Sequence, residues 1–403
     1  MITGCPKKQT GTISEGIPST SEYDRQLPPG QLALRKLTDP NDIPDFTVAC
    51  SNLASLRQAV KNSLDYMNKP SSRHFFPYGE ISHDQAVASL KAFAALLDSN
   101  PSPQQMNAAI RQQFDVYTSV GWNNAGSVHY TGYYTPIFDG SMTRTDRFKY
   151  PLYKKPASLE KGPDGQTLGM KGPDGSLTRC KSRRDLEQSG DLAGTELAYL
   201  ADPFEAYVAQ VQGSARLRMS DGKMVTVGYT ADNGYEYNSV GKELIKDGKI
   251  AKESLSLRTL MDYFKAHPDE VNEYTWRNPR YVFFAVTDSA PHGCLNVPVT
   301  AYRTIATDKS IFPRASVAFI STKLPYPTGD MRLYQGFAMD QDAGGAIRAA
   351  GRCDVYMGIG DQAGELAGRT QQEGRLYYLF LKPNAVPAAV APVPPATPTA
   401  IGQ

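Results

Sequence analysis

The chain has 403 residues, with 43 Lys and Arg against 41 Asp and Glu and a formal net charge of +2. A composition of 40% hydrophobic and 21% charged residues is that of an ordinary globular protein, and the length suits two or three domains. Balanced charge without a basic stripe argues against nucleic acid as a partner, and no apolar run approaches the roughly 20 residues of a membrane helix.

In chain order, Ile2-Thr3-Gly4-Cys5 has the small-residue shape of a lipoprotein cleavage site, with Cys5 as the lipidated residue and no hydrophobic stretch before it. Pro6 to Thr10 continue as a polar tether. Residues 1–45 are rich in Pro, Gly, Ser and Thr and read as an irregular linker. Three amphipathic helices are expected next. Cys50 to Met67 carries Leu53, Leu56, Val60 and Leu64 at helical spacing, Asp84 to Leu97 repeats the pattern, and Asn107 to Tyr117 is entered through Ser102-Pro103.

From Val128 the texture changes to short β-like runs, beginning with the Tyr- and Thr-rich HYTGYYTPIFDGS. Two copies of Lys-Gly-Pro-Asp-Gly, at Lys161 and Lys171, read as successive turns. Lys181, Arg183 and Arg184 read as a solvated basic loop. Phe204 to Leu217 and Lys223 to Thr230 are expected as strands, Ser239 to Asp247 and Ser254 to Lys265 as helices. Strands return at Tyr281 to Thr287, Ser316 to Ile320, Tyr334 to Met339 and Leu376 to Leu381. The Pro- and Ala-rich tail 383–403 is expected to be disordered.

The densest functional signal lies between Met339 and Thr370. Asp342 precedes the pair Gly344-Gly345, and Asp354 precedes an aromatic and a Gly-rich turn. Carboxylates beside glycines point to acids that a ligand can reach. Cys353 should face away from Asp354 on a strand and read as packing. Cys50, Cys180, Cys294 and Cys353 are an even set whose pairing sequence leaves open. Five scattered histidines lack ligand spacing, so no metal site is expected. Gly358 to Gly364 is similar to a dinucleotide fingerprint, but its last Gly comes one residue late. A Gly-x-Ser-x-Gly nucleophile elbow is absent.

Asp308 in ATDKSIFPRAS, Asp342 in MDQDAGGAIR and Asp354 in GRCDVYMGIG resemble, in this order, the 3D domain, a double-psi β-barrel. TGYYTP (Thr131 to Pro136), YPLYKKP (Tyr150 to Pro156), VQGSARL (Val211 to Leu217), SVGKELI (Ser239 to Ile245) and NPRYVFF (Asn278 to Phe284) extend the match. Together they resemble the membrane-bound lytic murein transglycosylase A family from about Tyr130 to Lys382. Residues 46–121 match less clearly.

The resemblance implies a mainly β fold with α: a double-psi β-barrel catalytic domain with N-terminal helices and an inserted β-rich domain. The expected boundaries are 46–136 plus 287–382 for the catalytic domain and 137–286 for the insert, which would line a substrate groove. The implied activity is cleavage of the β-1,4 bond between N-acetylmuramic acid and N-acetylglucosamine in peptidoglycan, leaving a 1,6-anhydro end. The implied setting is periplasmic, with the lipoprotein anchored to the outer membrane. Glycan strands would be the substrate, and cell-wall synthesis or division proteins are candidate partners. The family's catalytic aspartate falls on Asp354, with Asp342 and Asp308 as companions.

The residue types suit that chemistry. Ordinary glycosidases use two carboxyl groups, whereas attack by the sugar's own C6 hydroxyl lets one act as acid and then as base. A free Asp titrates near 3.9, so partial burial and the charge of Asp342 are expected to raise the pKa of Asp354, with Arg348 and Arg352 opposing if they face it. Asp308 is expected to hold a barrel loop, with Gly344 and Gly345 in supporting roles. Tyr133, Tyr134, Gln212, Gly213, Tyr229 and Tyr356 are candidates for binding glycan, Gln212 with Gly213 foremost because Gly admits a ligand to the backbone. No cofactor is required. The competing classes are a wall-binding protein without catalysis and a hydrolytic glycosidase.

Overall fold

The computed structural model describes residues 20–163, 165–287 and 290–383. Cys5 and the tail beyond Pro383 lie outside the described residues. Eight strands form the principal sheet. Six of them close into a barrel in the spatial order Gln371–Leu381, Val317–Pro325, Met331–Asp342, Thr304–Ala306, Arg352–Ile359 and Val128–Thr135, the last returning to the first. Closure comes from the N-terminal end of Gln371–Leu381, where Gln371 to Gly374 pair with Thr131 to Val128. A closed barrel leaves these strands without an open edge.

Helices pack against the outside of this barrel. The first expected helix is shorter than its apolar pattern. A turn of helix, Thr47–Cys50, is separated from Leu56–Met67 by a bend at Ser55, whose φ is 57°. The second runs His83–Asp98, and its N-terminus is capped by the Ser82 hydroxyl. The third, Pro103–Gln113, opens on a reciprocal Ser102–Gln105 capping box. It ends four residues earlier than the periodicity suggested. Phe114 to Ser119 alternate toward the core and form a strand alongside Gln371–Leu381. Phe93 meets Phe337 with ring centroids 5.1 Å apart, and Phe46 meets Phe319 at 4.9 Å, so helices and barrel share one apolar core. Residues before 46 are less irregular than expected: Thr20–Tyr23 is helical, and Leu34–Lys36 joins the sheet edge.

After Thr135 the chain leaves the barrel for a second lobe, and it returns after Thr287. The six-stranded sheet of this lobe runs Val282–Thr287, Met224–Asp232, Ser214–Arg218, Ile137–Ser141, Glu196–Leu200 and Tyr150–Tyr153. A small three-stranded sheet carries the expected turns, with Gly165 and Gly175 both at positive φ. Its core is separate from that of the barrel.

Two readings need correction in this lobe. Phe204 to Leu217 is not one strand. Pro203–Gln212 is a helix, because Asp202 Oδ1 accepts from the backbone N–H of Phe204 (2.7 Å) and Glu205 (3.0 Å) and Pro203 occupies the first turn. Gly213, at φ 72°, stops the helix before the strand Ser214–Arg218 begins. Arg183 is not solvated. It is 2% exposed, donating to Asn278 O, Arg280 O and Gln210 Oε1, and pairing with Glu187 at 3.2 Å.

The helix Asp361–Arg369 rests on the strand Val128–Thr135 where Gly132 lacks a side chain. A Cβ there would lie 2.8 Å from the Ala367 Cα, inside any normal contact. Gly132→Ala must therefore push helix from strand. A loss of about 1–3 kcal/mol is expected as a lowered Tm in thermal unfolding; an unchanged Tm would show that the helix has room to give.

Candidate active site

The open cleft between the two lobes has a volume of about 640 Å³. The barrel contributes Ala306, Asp342, Gly344, Gly345 and Asp354 to its lining, and the second lobe contributes Gln212, Gly213, Tyr229, Asp232 and Arg280.

Strand register sets the acids. On Arg352–Ile359, Asp354 lies opposite Thr131 on one side and Ala306 on the other. Ala306 is in turn opposite Asp342, after a register shift between Ile305 and Ala306. The two aspartates thus flank one small residue at two strand spacings, roughly 10 Å between Cα atoms. Cys353, of opposite parity, is fully buried as packing.

The two carboxyl groups have different surroundings. Asp342 is held by three donors: the backbone N–H of Cys294 (2.7 Å), that of Ala343 (2.8 Å) and the Tyr133 hydroxyl (2.8 Å). At Asp354, the Thr131 hydroxyl donates to Oδ1, and no described residue donates to Oδ2. Both carboxyls are half-buried, and burial raises the pKa of each. For Asp354 the Thr131 hydrogen bond and the Arg352 charge pull down, while Asp342 pushes up. Arg352 is itself paired with Asp24 at 3.1 Å. Asp342 therefore has the character of a fixed, oriented group. Asp354 keeps one oxygen for a ligand and a raised affinity for its proton.

Asp308 is 3% exposed. It accepts from Ser310 N (3.0 Å), from the Ser310 hydroxyl and from Ala349 N (3.0 Å), so it ties two loops behind the acids. Gly344 and Gly345 form the turn that faces the second lobe, and Gly345 lies under Arg280. Tyr133, Gln212, Gly213 and Tyr229 reach the cleft. Tyr134 and Tyr356 do not line it. Tyr134 is 6% exposed and packs under the helix Asp361–Arg369, where a Cβ on Gly364 would lie 2.8 Å from its ring. Tyr356 is 2% exposed, shares a hydrogen bond with Thr135 and backs the ring of Tyr133 at 5.2 Å. Half-buried alternation in the strands concealed which tyrosines face inward.

Several participants were not singled out from sequence. Thr131 is one, and the Cys294 backbone is another. Asp232 is a third: it pairs with Arg280 at 2.6 Å and accepts from Tyr229. Asp340, fully buried, pairs with Lys309 and accepts from Thr307 and Tyr378. Thr131 stood inside TGYYTP, whose alternation was a usable signal; the others depend on contacts between distant segments. Cys50, Cys180, Cys294 and Cys353 are all unpaired, and the described residues contain no cluster of three or more His, Cys, Asp or Glu able to hold a metal.

Barrel, second lobe and paired acids define a class: a two-lobed protein built on a closed β-barrel, with two carboxyl groups in an open cleft. A model of the MltA specific insert domain matches residues 129–285, and a 3D domain model matches 303–380. Membrane-bound lytic murein transglycosylase A of Escherichia coli (strain K12) is 31% identical over 280 residues, covering 67% of this chain and 70% of that protein. Its homolog in Buchnera aphidicola subsp. Schizaphis graminum is 27% identical over 297 residues, covering 72% and 76%. The crystal structure of E. coli MltA with bound chitohexaose superposes with a TM-score of 0.67 at 25% identity, over 91% of this chain and 100% of that one. The Agrobacterium tumefaciens membrane-bound lytic murein transglycosylase shares the fold, with a TM-score of 0.70 at 24% identity over 87% and 98%. The chain belongs to the membrane-bound lytic murein transglycosylase A family.

The raised pKa of Asp354 has a consequence for stability. Ionising a buried acid whose folded pKa lies above its unfolded value is unfavourable. The penalty is absent below about 3.9 and grows as pH rises through the folded value. Asp354→Asn removes that penalty, and the variant is expected to melt a few degrees higher than the parent at neutral pH, with the gap closing toward pH 3. A variant that melts lower at neutral pH would contradict the raised pKa.

Proposed function

We propose that this chain is a peptidoglycan lytic transglycosylase, cutting between N-acetylmuramic acid and N-acetylglucosamine with Asp354 as its single acid and base. One observation carries the assignment of Asp354: it is the half-buried cleft carboxyl with an oxygen left open, beside a second carboxyl already held by three donors. Membership of the family and the relative's chitohexaose complex support a glycan in this cleft.

In the first step protonated Asp354 gives its proton to the glycosidic oxygen, and the bond from C1 to that oxygen breaks. Positive charge develops at C1 and the ring oxygen, which the fixed Asp342 carboxylate favours. The C6 hydroxyl of the same muramoyl residue then attacks C1, and the Asp354 carboxylate accepts its proton. No water is consumed, and the acid ends as it began. Attack within one sugar makes orientation the main requirement, which suits an open cleft. Tyr133, Gln212, Gly213 and Tyr229 are proposed to bind the strand. Lipidation of Cys5 and an outer-membrane location remain part of the proposal; no described helix is long and apolar enough to cross a membrane.

Mass analysis of murein digested in ¹⁸O-water tests the reading. Anhydro-muropeptides, lighter by one water and free of label, are expected. Labelled reducing ends would indicate a hydrolytic glycosidase, and intact murein a binding protein. Asp354→Asn is expected to lower turnover by at least a thousandfold, on the order of losing a general acid–base, while chitohexaose binding stays near that of the parent.

The pH profile offers a separate check. The first step needs protonated Asp354, so kcat/KM should fall as pH rises through its folded pKa. Thr131→Val deletes a hydrogen bond that stabilises the ionised form. The falling limb should then move to higher pH; a limb that stays put or moves down would show that Asp354 is not the titrating acid.

A further inference from the structure

Most cations of the cleft are already engaged. Arg280 pairs with Asp232 at 2.6 Å, and Lys309 pairs with the buried Asp340. Lys161 donates to Thr230 O at 2.9 Å and lies over the ring of Tyr229. Arg314 differs. Its guanidinium carbon lies 3.7 Å from the ring centroid of Phe75, and its buried Nε has no hydrogen-bond partner. Among the described residues no carboxylate forms an ion pair with it. Stacking on a ring orients a guanidinium plane but leaves its charge and edge donors facing outward, and the neutral Tyr66 hydroxyl is the group that lies beside it.

The backbone fixes that side chain in place. Ala315, next in sequence, is fully buried at φ 60°, a region unfavourable for a residue with a Cβ. Its N–H donates to Asp340 O at 2.8 Å, so the loop is tied to the strand that carries Asp342. Arg314 is also near the chemistry. The Cys294 backbone donates to Asp342 at 2.7 Å, and burial first, then the charge of Asp342, raises the pKa of the Cys294 thiol, with Lys309 and Arg314 opposing. Arg314 thus lines the same cleft as Cys294, Asp342 and Asp354, on the loop that precedes the strand Val317–Pro325.

A strand of N-acetylated sugars is neutral along its backbone. Its negative charge lies on the lactyl arm of each muramoyl residue: the free lactyl carboxylate in stem-free strands, or the carboxylates of the peptide stem. We propose that Arg314, oriented by Phe75, is a specificity-determining residue that binds a carboxylate carried by this arm and so distinguishes murein from neutral glycans. The inference rests on the transglycosylase reading. Planar guanidinium donors match a carboxylate edge, whereas a lysine supplies only a point charge.

The test compares the parent with Arg314→Gln and Arg314→Lys on stem-free murein strands, stem-bearing murein strands and chitohexaose. For Arg314→Gln, kcat/KM on murein is expected to fall roughly tenfold or more, the scale of one charge-assisted hydrogen bond. Its Kd for neutral chitohexaose should stay within about twofold, which also shows that the variant folds. Arg314→Lys should recover part of the loss. A fall confined to stem-free strands assigns the lactyl carboxylate; one confined to stem-bearing strands assigns the peptide; either supports the proposal. Equal activity of parent and variant on both murein substrates would overturn it, and so would a matching loss of chitohexaose binding. Failure of the transglycosylase reading looks different, since the parent itself would then release no anhydro ends.

Discussion

The site depends on one constraint of register: Ala306 is the common neighbour of Asp354 and Asp342. Side chains alternate along a strand, so a slip of one residue would put Cys353 in the cleft and bury Asp354. Several contacts resist that slip. Cys353, Val355 and Ala306 are all buried in or beside the barrel core. Val128–Thr135 runs parallel to the Asp354 strand and also pairs with Gln371–Leu381, which closes the barrel. Moving the acid would mean opening the barrel. The small side chain of Ala306 lets two carboxyl groups look into one space without touching each other.

A second layer of polar contacts holds this arrangement from behind. Asp308 joins the loop after Thr304–Ala306 to Ala349, just ahead of the Asp354 strand. The pair of Asp340 and Lys309, satisfied by Thr307 and Tyr378, ties the same loop to the strand of Asp342. Buried ion pairs contribute little net stability relative to apolar packing. Their effect here is geometric, because each fixes a loop that ends at an acid or at Arg314. The number of donors then separates two similar acids: three at Asp342 and one at Asp354.

Elements with their own local signals were legible in the sequence. The capped helices and the strands from Tyr281 onward follow from apolar spacing, and the two Lys-Gly-Pro-Asp-Gly turns fall where Pro and Gly place them. Phe204 to Leu217 was misread because its Tyr and Val content favours strand, while the decisive feature is the Asp202-Pro203 cap ahead of it. Arg183 was misread because a charge run is usually solvated; its carbonyl partners come from residues about 95 positions away. For the site, Asp342 and Asp354 stood out beside their glycines, and Asp308 only through the order of three acids that resembles the 3D domain. Tyr134 and Tyr356 looked equivalent to Tyr133 because a tyrosine on a strand shows its composition but not the face its neighbours cover.

The two-lobed layout suits the proposed chemistry. A reaction that closes one sugar upon itself needs no site for attacking water, but it does need a long polymer held still. In the proposed reaction the barrel supplies rigid proton-transfer groups, and the second lobe supplies a wall with its own core. The lobes meet where Gly345 passes beneath Arg280, with a Cβ on Gly345 already 3.2 Å from Arg280 Nε. Arg280 is held by Asp232 and the Tyr235 carbonyl, so this contact is made by a fixed side chain. Cleft width near Asp354 is thus limited by an absent methyl group. That makes the glycine pair after Asp342 a requirement of the interlobe approach as well as of a local turn.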